Sequence, residues 1–205
     1  MNDNHIKELI ENFKLRNIEV EYFETLEEVK KHVLNIIPIT CSVGIGHSKT
    51  LQAMDIVQSL IIRGNLVYDK ELAKTAEERK TLKKKALLAD WYITGSNAVS
   101  VDGRIVNIDH SGNRVAAISF GPDKVIVIVG KNKIVSTVYD AIDRAKNISS
   151  PLNAKRAGYN PPCVCMKKCI DCVSKDRVCN ILSIIEGQSD SDRIKLIIVN
   201  EEYGF

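Results

Sequence analysis

The sequence has no long hydrophobic run: its longest apolar stretches, such as Val125 to Val129, fall far short of the roughly 20 residues of a membrane-spanning helix, which excludes a helical span. The start, with Asn2, Asp3 and Asn4, has neither the basic region nor the apolar core of a signal peptide, so a cytoplasmic protein is expected. An excess of one charge is also missing. Lys+Arg number 29 against 26 Asp+Glu, and the net charge of +3 singles out no partner. Aromatics do not interleave with the basic residues. The main basic run, Lys83 to Lys85, shares its segment with Glu77 and Glu78, so it reads as a solvated helix face and nucleic-acid binding is not expected. No internal repeat or low-complexity tract interrupts the 205 residues, a length that suits one domain (1–205) able to bury a core without disulfides.

What is present is an alternation of helix and strand patterns. Ile6, Leu9, Ile10 and Phe13 recur at helical spacing, Ile18 to Phe23 is strand-like, and Thr25 with Glu28 forms a capping box ahead of Leu26, Val29, Val33 and Ile37. Cys41 to Ile45 breaks into a glycine loop, after which Leu51, Met54, Val57 and Ile61 predict one helix. Leu66 to Tyr68, a helix from Thr75 to Leu88, and Trp91 to Thr94 repeat the theme. Such alternation implies an α/β fold: a mostly parallel open sheet with flanking helices. Asp102-Gly103 between Val99–Val101 and Arg104–Val106 predicts an inserted β-hairpin. Lys124 to Val129 is expected as a central, fully buried strand, followed by a helix through Val138, Ile142 and Ala145. From Pro151 the composition turns to loop. Ile181–Ile185 and Ile194–Val199 are then expected as a terminal strand pair that clasps this C-terminal loop to the body.

Three loops at the carboxyl ends of predicted strands carry small hydrogen-bonding residues, and open parallel sheets bind ligands there. In the first, Gly44 and Gly46 would let backbone N–H groups approach an anion, with Ser48 and Thr50 at the positive start of the next helix; Ser48 is equally a good N-cap. This loop lacks the third glycine of the dinucleotide fingerprint and the Gly-Lys-Ser/Thr ending of a P-loop, so it specifies neither NAD nor ATP. The second loop supplies Gly95, Ser96 and Asn97, and the third Gly130, Asn132 and Lys133. Asn107, Asp109, Asn113 and Arg114, from the segment after the hairpin, would join them, although Asn, Asp and Gly are also what sharp turns require. Arg114 is suited to gripping a carboxylate or phosphate bidentately and Lys133 to adding a point charge, unless either pairs with Asp109 or Asp123. The four histidines form no cluster, and only His47 and His110 fall in candidate loops.

Of six cysteines, Cys41 stands alone and five lie between Cys163 and Cys179, unlike a disulfide framework. The spacing Cys163-x-Cys165-x3-Cys169-x2-Cys172-x6-Cys179 suits a zinc or iron–sulfur site held by Cys163, Cys169, Cys172 and Cys179, with Cys165 spare, in a cysteine-rich loop over 151–180. It matches neither the ferredoxin run nor a regular zinc finger, and reactive thiols or unliganded structural cysteines are the alternatives. Lys167, Lys168, Lys175 and Arg177 would stabilise thiolates in any case.

Ala89-Asp90-Trp91-Tyr92-Ile93-Thr94-Gly95-Ser96-Asn97-Ala98, Asn107-Ile108-Asp109, Gly112-Asn113-Arg114-Val115-Ala116-Ala117, Phe120-Gly121-Pro122 and Gly130-Lys131-Asn132-Lys133-Ile134-Val135 follow one another in the order of LUD-domain proteins. Over most of its length the chain resembles the lactate-utilisation protein C and YkgG-like family. The resemblance implies a NagB/RpiA/CoA-transferase-like sheet. It also implies a role in lactate or related organic-acid utilisation with iron–sulfur redox partner proteins, and the converging loops would hold a small anionic metabolite or cofactor at the sheet edge. Without a ferredoxin-like CxxCxxC repeat or a long C-terminal extension, the chain is similar to the small, stand-alone type. Two other roles fit the same fold: an isomerase- or transferase-like enzyme acting on a phosphorylated or CoA-linked substrate, and a non-enzymatic binding or assembly module. No catalytic residue can be placed on a matched motif; Glu21, Glu24 and Asp90 are carboxylates without a distinguishing context.

Overall fold

The computed structural model describes residues 3–205. In chain order its elements are α1 (Asp3–Lys14), β1 (Glu19–Phe23), α2 (Leu26–Ile36), β2 (Val43–Ile45), α3 (Lys49–Met54), α4 (Ile56–Arg63), β3 (Val67–Tyr68), α5 (Ala76–Ala86), β4 (Trp91–Gly95), β5 (Ala98–Ser100), β6 (Arg104–Asp109), α6 (Asn113–Ser119), β7 (Lys124–Gly130), β8 (Ile134–Val135), α7 (Val138–Arg144), α8 (Ser150–Arg156), α9 (Pro162–Met166), β9 (Ile181–Ile185) and β10 (Ile194–Val199). The expected capping box closes, Thr25 accepting from the Glu28 backbone, and Thr75 makes a second with the Glu78 backbone, each with the reciprocal glutamate bond.

Six strands form one sheet in the order β1-β10-β7-β4-β2-β3, parallel at every pairing. A parallel sheet buries both faces, and β7 shows how. Its Val125, Val127 and Val129 face one apolar cluster with Leu9 and Phe13 of α1, while Ile126 and Ile128 face another with Val29 and Val33 of α2 and Leu60 of α4. Each fully buried side chain of this kind contributes on the order of 1.5–3 kcal/mol. The expected hairpin is present as β5 and β6, antiparallel, turning through Gly103 at φ +90°. It nucleates a second sheet of four strands, β8-β5-β6-β9, whose Val99, Ile105 and Ile185 share the cluster of Leu9 and Phe13.

Three expectations are corrected. Ile181–Ile185 and Ile194–Val199 are not a terminal pair: β9 runs antiparallel to β6 in the small sheet, and β10 sits between β1 and β7 in the large one. β10 is buried almost throughout, which suits a sheet interior, whereas β9 begins exposed, which suits an edge. The helix predicted through Leu51 to Ile61 is broken at Asp55, whose left-handed φ of 49° separates α3 from α4. Pro151 does not open a loop. It lies in the first turn of α8, which continues from α7 through a π-helical turn at Ala145–Ser149, and the shifted hydrogen-bond register of that turn accommodates a residue with no N–H to donate.

Candidate functional site

At the carboxyl ends of β2, β4 and β7 the sheet opens into a cleft of about 500 Å3. Eight of the sequence-predicted residues line it: Ser48, Gly95, Ser96 and Asn97 from two loops, Asp109, Asn113 and Arg114 from the β6–α6 segment, and Lys133 after β7. The side chains of Lys49, Lys70, Arg79, Lys83, Arg114, Lys133 and Arg156 line it, against the side-chain carboxylates of Glu71 and Asp109. Both carboxylates are engaged. Asp109 accepts from the backbone N–H groups of His110, Arg114 and Val115, which fastens the start of α6. Glu71 lies within 3.8 Å of Lys70, 3.4 Å of Arg79 and 3.5 Å of His47.

Arg114 pairs with neither Asp109 nor Asp123 through its side chain. Its guanidinium donates to Asn107 Oδ1, Asn97 Oδ1 (3.0 Å), the Gly95 carbonyl (3.2 Å) and the Ile108 carbonyl (2.7 Å). Every acceptor is neutral, so the group braces two loops while its charge stays uncancelled. Arg144 does the same from beneath, donating to the carbonyls of Asn97 (2.6 Å) and Asn132 (3.2 Å) and to Ser149 Oγ (3.1 Å). Lys133, only 3% exposed, lies in the field of both. Burial, and then the charges of Arg144 and Arg114, push its ammonium down to about 7.

His47 lies at the mouth, with Nδ1 toward Glu71 and Nε2 against Arg156 Nη1. Burial, then the charges of Arg156 and Lys70, hold its imidazole down at about 4, so it is neutral at pH 7 and its Nε2 accepts from Arg156. Arg156 also donates to Asn153 Oδ1 at 2.6 Å.

Six predicted residues lie outside the cleft wall, each for a packing reason. A Cβ on Gly44 would meet the Ala86 carbonyl at 2.7 Å, and one on Gly46 would collide with the Thr94 hydroxyl, so these glycines admit neighbouring protein and not a ligand. Thr50 is fully buried beneath the C-terminal segment, and Asn132 pins that segment through Tyr203 N and the Gly204 carbonyl, over Gly130. Asn107, 1% exposed, supports Arg114 and leaves its own Nδ2 without a partner among the described residues. Ser48 caps α3 by backbone conformation alone; its hydroxyl makes no capping bond. Lys83 was expected on a solvated face, but it lines the cleft and donates to Ser111 Oγ at 3.2 Å. Lys70, Glu71, Arg79 and Arg156 carry no local signal; their segments read as ordinary charged surface.

The cysteine loop walls the cleft through Tyr159 and Val178, and Tyr159 meets His110 edge-on at 5.2 Å. Burial raises the Cys163 thiol, and Cys172, Cys179 and Cys169 raise it further, so the four thiols share one electrostatic neighbourhood that leaves out the exposed Cys165. Arg177 ties the loop by donating to the carbonyls of Cys172 and Cys179. The donor set is that of a soft metal site, but among the described residues no group of three or more Cys, His, Asp or Glu side chains is arranged to hold a metal ion. No helix among these residues is long and apolar enough to cross a membrane.

A crystal structure of a DUF162 family protein from Deinococcus radiodurans is similar to this chain in fold, with a TM-score of 0.56 at 16% identity, covering 96% of this chain and 97% of that one. No curated protein matches the sequence. The LUD domain family model matches residues 6–199. That match takes in every strand of both sheets and all four cleft-forming segments, and the chain therefore belongs to the LUD-domain family.

Proposed function

We propose that this lactate-utilisation-type protein binds a small anionic metabolite or cofactor in the cleft and works with iron–sulfur redox partner proteins. One observation carries the reading: six lysine and arginine side chains besides the buried Lys133 face the cleft, and its two side-chain carboxylates are already engaged. Such a cleft concentrates positive potential and draws in anions. Lys49 and Arg156 supply charge from the wall, while Arg114 and Arg144 supply fixed charge from below.

The test is calorimetric titration of the full chain with lactate, inorganic phosphate, pyrophosphate and coenzyme A, at low and high salt. Binding of at least one anion, weakened several-fold by salt and by Arg156→Ala, is the expected result. Absence of binding by all four would remove the reading.

We propose further that the cysteine loop takes a metal in the same protein, a reading that rests on the spacing and type of its four thiols. Cys163, Cys169, Cys172 and Cys179 would hold zinc or an iron–sulfur cluster, and a closed thiolate shell around zinc would make the loop a structural clasp. Metal and sulfide analysis of anaerobically purified protein separates the two. Iron with sulfide favours a redox role, and one zinc per chain favours the clasp.

A further inference from the structure

Lys133 is unlike the other lysines of the cleft. The residue is 3% exposed and lines the cavity, yet its side chain makes no hydrogen bond or ion pair with any described residue. An ammonium group taken out of water normally has a carboxylate to meet it. Here the charged groups that face it are Arg144, from α7, and Arg114, from α6, both cations and both bonded to neutral oxygens. Asn132, its neighbour in the loop, spends its amide on Tyr203 and Gly204.

An anion-binding lysine works best in contact with solvent, as Lys49 is. Burying the amine between two cations works against charge and for a free lone pair. We propose that Lys133 is a nucleophilic amine that condenses with the carbonyl carbon of a small anionic carbonyl compound, of the 2-oxo acid class, to form an imine. This inference rests on the cleft taking an organic anion.

The step balances without an oxidant or reductant. The Lys133 nitrogen attacks the carbonyl carbon, one amine hydrogen passes as a proton to the carbonyl oxygen to give the carbinolamine, and the second leaves as a proton with that hydroxyl as one water while the C=N bond forms. The imine nitrogen then takes one proton from solvent. The carboxylate next to the reacting carbon is the group the surrounding cations would hold, which brings the carbonyl to the amine. Since the amine stands at about 7 in the folded protein, a large fraction is neutral at physiological pH.

The experiment treats the full chain with pyruvate and, separately, glyoxylate in the presence of sodium cyanoborohydride, and maps the reduced adducts by peptide mass spectrometry. Calorimetric titration with the same acids runs in parallel. The expected result is labelling of Lys133 at least ~10-fold above Lys49 and Lys83, rising to half its maximum near the pH at which the buried amine titrates, and absent in Lys133→Met. Labelling spread evenly over the lysines would overturn the inference. Binding of either acid without an adduct at Lys133 would overturn it too, while leaving the anion-binding reading in place. Neither binding nor adduct would overturn the inference as well, and the anion-binding reading would then stand or fall on its own four titrations.

Discussion

The Arg114 guanidinium donates to the side-chain oxygen of Asn97 at 3.0 Å, joining the start of α6 to the loop that leaves β4. The same oxygen accepts from the Ile108 backbone N–H at 2.8 Å, so one amide and one guanidinium knit three segments of the cleft floor. Arg114→Ala should therefore lower stability by about 2–4 kcal/mol, because the partly buried oxygens it serves lose their donor. Urea denaturation measures this, and Arg114→Lys should restore less than half, since an ammonium cannot fork to four acceptors. A loss below ~0.5 kcal/mol, the size of an ordinary surface substitution, would show that these bonds do not brace the floor.

Lys133 makes stability depend on pH in a calculable direction. A lysine amine in water titrates at 10.5 and this one at about 7 when folded, so between those values the unfolded chain holds more protons. Stability contributed by this group therefore rises from pH 7 toward 10.5 and is fully withheld below 7. Lys133→Met should be more stable than the parent at pH 6, by on the order of a few kcal/mol, and the gap should close toward pH 10. A gap that does not change with pH would contradict the buried-amine account.

His47 acts on the acid side. Its folded value of about 4 lies below the ordinary 6.5, so the stability it confers is present above pH 6.5 and is lost as pH falls toward 4. In His47→Gln the stability profile should be flatter across that window, by about 2–3 kcal/mol, as read from thermal or urea unfolding at stepped pH. An unchanged acid limb would mean that other groups set it.

Cys169→Ser combined with Cys172→Ser should reduce metal content per chain to near zero, with a drop in Tm. Elemental analysis and thermal melts of anaerobically purified protein give the answer. Metal content and Tm equal to those of the parent would dismiss the thiolate site.

Gly46→Ala probes close packing between β2 and β4. The added methyl would run into the Thr94 side chain and approach the Tyr92 hydroxyl at 3.0 Å, so a loss of about 1–3 kcal/mol is expected in denaturant unfolding. A neutral outcome would show that the β2 loop can shift outward.

Signals that need only chain neighbours were legible in the sequence. Thr25 and Thr75 announced their helices because a cap is a bond to a residue three positions on, and the valine and isoleucine run of β7 announced a doubly buried strand. The alternation of strands and helices likewise determined the parallel sheet, and with it the end at which the loops gather. Tertiary structure alone decided which groups meet there. Arg156 reaches His47 across 109 positions, Lys83 reaches Ser111 across 28, and β9 and β10 part company for different sheets. No local pattern encodes such pairings, because they depend on which buried faces pack together. The charge of Arg114 was readable from its type, but that its donors are spent on neutral oxygens, and that Lys133 is left buried without a counter-charge among the described residues, follows only from where the folded chain brings Asn97, Asn107 and Arg144.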